Sequence, residues 1–182
     1  MVEPTQTALI IPVPEAERAV GRFRASLDQA ASWGVPAHVT VLYPFLPPEQ
    51  VDDGVRAVLR EVVARVPRFD ATLTHVDWFG DTVAWLAPQP DRPFRELTAA
   101  VWQQFPEAAP YAGAYTEVVP HLTIGHDAPR PVLQHAADAV AAYLPITIAV
   151  DTVRLIAGTP EHGPWRTVCE FPLGVPAPTV GR

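Results

Sequence analysis

Lysine is absent from this chain: all 13 basic residues are arginines, and against 20 acidic side chains they leave a formal net charge of −7. A protein that holds long nucleic acid mainly by neutralising phosphates needs a basic surface, so this balance argues against that class and leaves room only for a small, local phosphate site. Cysteine is nearly absent too. Cys169 stands alone, which excludes an intramolecular disulfide and a cysteine-rich zinc cluster and suits a reducing compartment. No apolar run approaches the roughly 18 residues of a membrane span, and Met1-Val2-Glu3-Pro4 lacks the basic segment and apolar stretch of a leader. A cytoplasmic location is therefore expected. The lysine-free composition, rich in alanine and proline, reads as the product of a GC-rich bacterial genome.

What is abundant is proline, at 22 of 182 residues. The prolines cluster at the ends of apolar runs, where a fixed φ and a missing donor punctuate secondary structure. The length suits one compact domain, or two small lobes sharing a core. With 48% hydrophobic and 18% charged residues the chain is ordinary globular material rather than disordered.

The most informative stretch is Pro36-Ala37-His38-Val39-Thr40-Val41-Leu42-Tyr43-Pro44-Phe45. It has an echo in Val119-Pro120-His121-Leu122-Thr123-Ile124-Gly125. Side chains alternate faces along a strand, so His38 projects with Thr40, and His121 with Thr123.

Around these two stretches the order of elements repeats. Thr7–Val13 reads as a buried strand, Glu15–Trp33 as a helix closed by Gly34, and the His38 strand follows. A helix from Pro47 to about Val66 and a strand Phe69–Phe79 complete the series. Thr82–Pro88 then matches the opening strand and Phe94–Phe105 its helix. A long loop, Pro106–Pro120, leads into the His121 strand, with a helix Pro131–Leu144 and a third strand Ile146–Ala157 after it. Trp165–Phe171 supplies one further strand. The expectation is a single domain over 1–182 built from two related halves, about 5–80 and 81–173, with 174–182 as a tail. The fold class is α/β (α+β): a bilobal, pseudo-twofold duplication with antiparallel sheets around a central cleft and helices outside. Such symmetry points both histidines into one cleft from opposite sides.

Two imidazoles can supply a neutral base and a protonated acid at the same pH. In-line displacement at phosphorus needs that combination, one group taking a proton from the attacking oxygen while the other gives one to the departing oxygen. Thr40 and Thr123 can donate hydroxyl hydrogen bonds to the non-bridging oxygens as charge builds there. The scheme requires no metal and no cofactor.

The two stretches resemble the paired His-x-Thr/Ser signatures of the 2H phosphoesterase superfamily, which includes bacterial 2′-5′ RNA ligases and cyclic phosphodiesterases. The resemblance runs from about Thr7 to Leu173 and includes a closing Cys169-Glu170-Phe171-Pro172-Leu173 similar to that family's last strand. It implies His38 and His121 as the acid–base pair and Thr40 and Thr123 as phosphate ligands. It also implies a 2′,3′-cyclic phosphate or 2′-5′ linkage on an RNA end or nucleotide as substrate, with ligation as the reverse reaction. The alternative is a non-catalytic nucleotide or RNA-end binding module of the same fold. The partner expected is a nucleotide or RNA terminus, without a membrane or a metal, and the chain is expected to be a monomer.

Outside the motifs, Tyr111, Tyr115 and Trp165 lie in loop-like segments and are candidates for stacking on a base, and Arg154 is a candidate phosphate clamp. Strict alternation puts His126 on the face opposite His121, as a structural histidine, and Tyr43 and Phe45 opposite His38, as core. His75 is expected at the surface or the cleft edge. His135 and His162 are expected to be solvated.

Overall fold

The computed structural model describes residues 3–175. Eight strands form two four-stranded antiparallel sheets. In chain order they are β1 (Gln6–Pro12), β2 (His38–Leu42), β3 (Phe69–Phe79), β4 (Val83–Gln89), β5 (Leu122–His126), β6 (Ile146–Val150), β7 (Thr152–Gly158) and β8 (Arg166–Pro172). The first sheet has the order β2-β1-β7-β8 and the second β5-β4-β3-β6. Among the described residues five α-helices accompany them: α1 (Glu17–Leu27), α2 (Gln29–Ser32), α3 (Asp53–Arg65), α4 (Arg92–Gln104) and α5 (Arg130–Ala141). This is the expected mixed α/β architecture.

The boundary between the two sequence halves does not separate the sheets. β3, the last strand of residues 5–80, pairs with β4, and β7 pairs with β1. The first half thus gives β3 to the sheet of β4 and β5, and the second gives β7 and β8 to the sheet of β1 and β2, while β6 stays with its own half. The helices are exchanged in the same sense: α1 packs against β5, and α4 against β2. A hydrophobic pattern reports that a strand is buried but not which neighbour buries it, so the exchange is invisible in the sequence.

Two expected elements are broken, each at an aspartate. The helix expected over Glu15–Trp33 is interrupted at Asp28, which is extended (φ −132°, ψ 108°) and caps α2 by accepting from the Ala30 amide at 3.0 Å. A carboxylate that can satisfy an orphan amide outcompetes helix continuation. The strand expected over Ile146–Ala157 divides at Asp151 into β6 and β7, which belong to different sheets. The second expected helix likewise begins late, at Asp53, where the Asp52 carboxylate caps the Val55 amide at 2.8 Å.

Burial follows from these positions. β1 is buried along its five central residues because it lies inside a sheet with both faces covered. Leu9 and Ile11 join the main core, while Ala8 and Ile10 form a smaller cluster with Val35, Ile156 and Trp165. β2 and β5 are edge strands of their respective sheets and lie against each other. The β2 edge is protected in part by Thr98 of α4, whose hydroxyl donates to the Val41 carbonyl at 2.8 Å. Among the described residues no helix is long and apolar enough to cross a membrane.

Candidate functional site

The two histidine strands carry the same local construction. In each, the imidazole Nδ1–H donates to the carbonyl two residues earlier, His38 to Pro36 at 2.8 Å and His121 to Val119 at 2.7 Å. A carbonyl can only accept, so both rings are fixed in the tautomer that leaves Nε2 with its lone pair. The loop ahead of His38 is pinned by the Glu17 carboxylate, which accepts from the Ala37 amide at 2.7 Å. His121 is held instead by aromatic edges, at 5.0 Å from Phe79 and 5.9 Å from Trp85 between ring centres.

Each strand also contains a β-bulge at the residue after its threonine. In β2, Thr40 pairs with Ile10 and Leu42 with Leu9, so Val41 is the extra residue. In β5, Thr123 pairs with Trp85 and Gly125 with Ala84, so Ile124 is extra. A bulge resets the alternation of side chains. Tyr43 and His126, each five positions after its strand's histidine, are thereby returned to the threonine face. This corrects the expectation from strict alternation, which sent both to the opposite side. Phe45 does pack in the core, edge-on to Phe105 at 5.1 Å.

The threonines and histidines open onto two adjoining hollows. The larger, about 570 Å³, is lined by His121, Thr123, His126, Phe79, Tyr111 and Tyr115 among others. The smaller, about 200 Å³, is lined by His38, Thr40, Tyr43, Trp33 and Trp165 over an apolar floor. The loop before β5 joins the two. Its Tyr111 amide donates to the Tyr43 carbonyl at 2.6 Å, and the Tyr111 phenol lies against Thr40. Tyr111 and Ala112 both take left-handed backbone (φ 51° and 52°), a conformation that costs non-glycine residues roughly 1–3 kcal/mol and collects at ligand-facing segments.

Electrostatics distinguish the histidines. Burial pushes the His38 imidazole down to about 4, with the buried Arg24 guanidinium and His121 acting in the same direction. Burial also lowers His121. His126 moves the other way, up to about 9, because the Asp28 carboxylate accepts its hydrogen bond and Asp127 adds a second. Burial acts to raise the Asp28 carboxyl, but His126 and Arg24 together hold it below its ordinary value. Arg24 and Asp28 form a buried ion pair at 2.9 Å, and Arg24 also donates to the Val35 carbonyl at 3.2 Å.

The remaining candidates are dispersed. Tyr115 borders the larger hollow and is 66% exposed. Trp165 is a wall of the smaller one. Arg154 is on an inner strand, in line with Ile10 and Thr40 across the sheet, and its guanidinium is engaged by Glu170 at 2.8 Å. His75 is exposed and bonds the neighbouring Thr74 hydroxyl at 2.8 Å, while His135 and His162 are exposed. Sequence reasoning missed His126 as a cleft residue. The only available signal was the equivalence of Tyr43 and His126 in the repeat. Among the described residues no three His, Cys, Asp or Glu side chains converge as a metal site.

The architecture is that of a two-lobed α/β protein in which paired His-x-Thr strands meet along a cleft. Residues 12–159 match the model of the 2′-5′ RNA ligase superfamily, and the chain belongs to that superfamily of 2H phosphoesterases. Its fold is similar to that of Escherichia coli LigT, crystallised with 3′-AMP, at 20% identity and a TM-score of 0.61 over 94% of this chain and 99% of that one. LigT crystallised with NADP+ superposes with a TM-score of 0.57 at 24% identity, over 95% of this chain and 99% of that one. TT0787 of Thermus thermophilus is similar at 19% identity and a TM-score of 0.59, over 94% of this chain and 100% of that one. No curated protein matches the sequence.

Proposed function

We propose that the protein is a metal-independent phosphodiesterase that opens 2′,3′-cyclic phosphates or cleaves 2′-5′ linkages at RNA ends or on nucleotides, with ligation as the reverse reaction. The observation that carries this reading is the duplicated construction of the cleft: two histidines with Nδ1 tied to a carbonyl, each two residues ahead of a threonine on the same face. The match to the 2′-5′ RNA ligase superfamily supports the reaction class. The nucleotides bound by LigT in its crystals support the substrate class by analogy.

In this reading His38 and His121 are the acid–base pair, and Thr40 and Thr123 donate to the non-bridging oxygens. His38, the more strongly depressed of the two, is the neutral base for hydrolysis: its Nε2 takes the proton of the attacking water. His121, protonated, gives its proton to the departing ribose oxygen, and one P–O bond forms as another breaks. Both roles reverse in ligation. The anionic diester, once bound, favours the imidazolium form of the acid. His126, cationic at neutral pH beside His121 and Thr123, attracts the substrate's negative charge into the larger hollow. Tyr115, Trp165 and Arg154 are substrate contacts only where their positions allow: Trp165 as a wall of the smaller hollow, Tyr115 at the rim of the larger, and Arg154 only if Glu170 releases it.

The test is a panel of nucleoside 2′,3′-cyclic phosphates and 2′-5′ dinucleotides followed by chromatography, with and without EDTA. Turnover that persists in EDTA and falls in both His38→Ala and His121→Ala is expected. A non-catalytic binding module would instead bind nucleotide without product, and turnover unchanged in either alanine variant rejects the acid–base assignment.

A further inference from the structure

The loop ahead of β5 brings one aromatic hydroxyl to the place where the two hollows meet. Ala108 and Pro110 are buried and seat the start of the loop. Arg95 of α4 fixes its far end, donating to the Val118 carbonyl at 2.6 Å and pairing with Glu117 at 3.0 Å. Between these anchors the Tyr111 amide donates to the Tyr43 carbonyl at 2.6 Å, which ties the loop to the residue after β2. Tyr115 packs edge-on against the Tyr111 ring, 5.5 Å between centres. The ring is therefore held from both ends of its loop and from the His38 side of the cleft before any ligand arrives.

Its backbone is left-handed (φ 51°, ψ 35°). A glycine would take that conformation freely, and a tyrosine takes it at a cost. What the cost places is a phenol that spans the cleft. The ring lines the larger hollow with His121 and Thr123, whereas the hydroxyl reaches Thr40, which lines the smaller one with His38. The Tyr43 hydroxyl is spent on Gln6 at 2.7 Å. The Tyr111 hydroxyl has only the Thr40 hydroxyl as a hydrogen-bonding neighbour among the described residues, and burial raises its pKa, so it keeps its proton. Two hydroxyls carry two protons, and a bond between them uses one. The other is free for an incoming acceptor.

We infer that Tyr111 is a further catalytic residue of this cleft, its phenolic O–H donating, beside Thr40, to a non-bridging oxygen of the reacting phosphate. The inference rests on the phosphodiesterase reading and adds to it a donor that neither His-x-Thr stretch contains. A phosphate touching both Thr40 and Thr123 has to lie across the junction of the two hollows, and the phenol stands at that junction. No bond to the phenol forms or breaks during the reaction. Its hydrogen bond strengthens as negative charge gathers on the non-bridging oxygens, and the donor is already in place when that happens.

The experiment compares the wild type with Tyr111→Phe, which removes the hydroxyl and keeps the ring. The substrates are adenosine 2′,3′-cyclic phosphate and the two diastereomers of its phosphorothioate, each with sulfur in place of one non-bridging oxygen. Expected is a kcat lower by roughly a hundredfold on the oxygen substrate, the scale of one preorganised donor, with KM little changed. Sulfur is a weak acceptor, so the diastereomer that turns sulfur toward the phenol should be slowed far less by the substitution than the other. An unchanged or higher kcat overturns the role. So does a fall shared equally by both diastereomers, which is what a ring that only shapes the cleft would give. If the wild type turns over none of the three, the phosphodiesterase reading fails by itself. Adenosine 2′-phosphate titrated into both proteins and followed by phosphorus NMR then decides the phenol. Affinity about tenfold weaker in Tyr111→Phe, the scale of a hydrogen bond to a charged group, upholds it as a phosphate donor, and equal affinity or no binding rejects it.

Discussion

His126 Nε2 lies 3.4 Å from Oδ1 of the buried Asp28 carboxylate, while its Nδ1 meets Asp127 at 2.9 Å. An imidazole facing carboxylates from both nitrogens is held as a cation, and here the cation borders the hollow that contains His121 and Thr123. Both its nitrogens are taken, so it acts on a diester through charge alone, and His126→Gln is expected to raise KM for anionic diesters roughly two- to fivefold, on the order of 1 kcal/mol or less, with a smaller effect on kcat. Steady-state kinetics at pH 7 and at two salt concentrations check this, since a lost charge also flattens the salt dependence.

The same pair makes stability depend on pH. His126 is raised from 6.5 to about 9, so its contribution is fully present below pH 6.5 and is lost as pH rises through about 9. Asp28 is lowered, so its contribution is present above the ordinary carboxylate range and is lost as pH falls through its depressed value. Urea midpoints measured from pH 5 to 10 should decline on the alkaline side, and His126→Gln should remove that decline.

Breaking the buried pair should be costly. Arg24 and Asp28 are almost wholly inaccessible, and removing one partner strands the other's charge in a low-dielectric interior. Asp28→Ala is expected to lose about 3–5 kcal/mol, and an NMR titration of the variant should find His126 titrating lower than in the wild type. A variant with unchanged stability would contradict the buried-charge account.

The pH profile of hydrolysis follows from the two depressed histidines. In the proposed mechanism activity requires His38 neutral, so it rises with pH through about 4. The same mechanism requires His121 protonated, and burial lowers that limb from 6.5. For the free enzyme, kcat/KM should form a bell on the acidic side of neutrality, and the bound anion should move the alkaline limb of kcat upward. His38→Ala and His121→Ala should each lower kcat by roughly 10²–10⁴-fold, with circular dichroism unchanged.

Gly125 marks where α1 crosses β5. A Cβ there would stand 2.7 Å from Leu27 Cβ and 3.1 Å from Leu133 Cδ2, and the first of these atoms cannot swing aside. Gly125→Ala is expected to destabilise by about 1–3 kcal/mol, measured by urea unfolding. Its turnover should suffer as well, because β5 carries Thr123 and leads from His121 to His126.

Much of this protein is local and was legible as such. The paired His-x-Thr strands, the strand Phe69–Phe79 and the approximate helices all follow from periodicity and proline punctuation, which depend on neighbours a few residues away. Two of the bounds that shifted did so where an aspartate offered its side chain to the backbone, at Asp28 and Asp52. Tyr115 and Trp165 could be singled out as cleft-border aromatics from their loop context. Arg154 could be singled out as a cation, but not Glu170 as the residue that occupies it.

Sequence alone determined which side chains are present in duplicate and which element carries each, because strand and helix periods are written in the order of residues. Tertiary structure decided three things that no local pattern encodes. A bulge exists only relative to a paired strand, and those at Val41 and Ile124 turned Tyr43 and His126 into the cleft. The exchange of β3 and β7 between sheets, and of α1 and α4 between histidine strands, is a choice among partners that look equally apolar in one dimension. The charge on His126 came from Asp28, a residue remote in sequence that the α1–β5 packing carries to within 3.4 Å, and electrostatic strength depends on that distance and on burial rather than on separation along the chain.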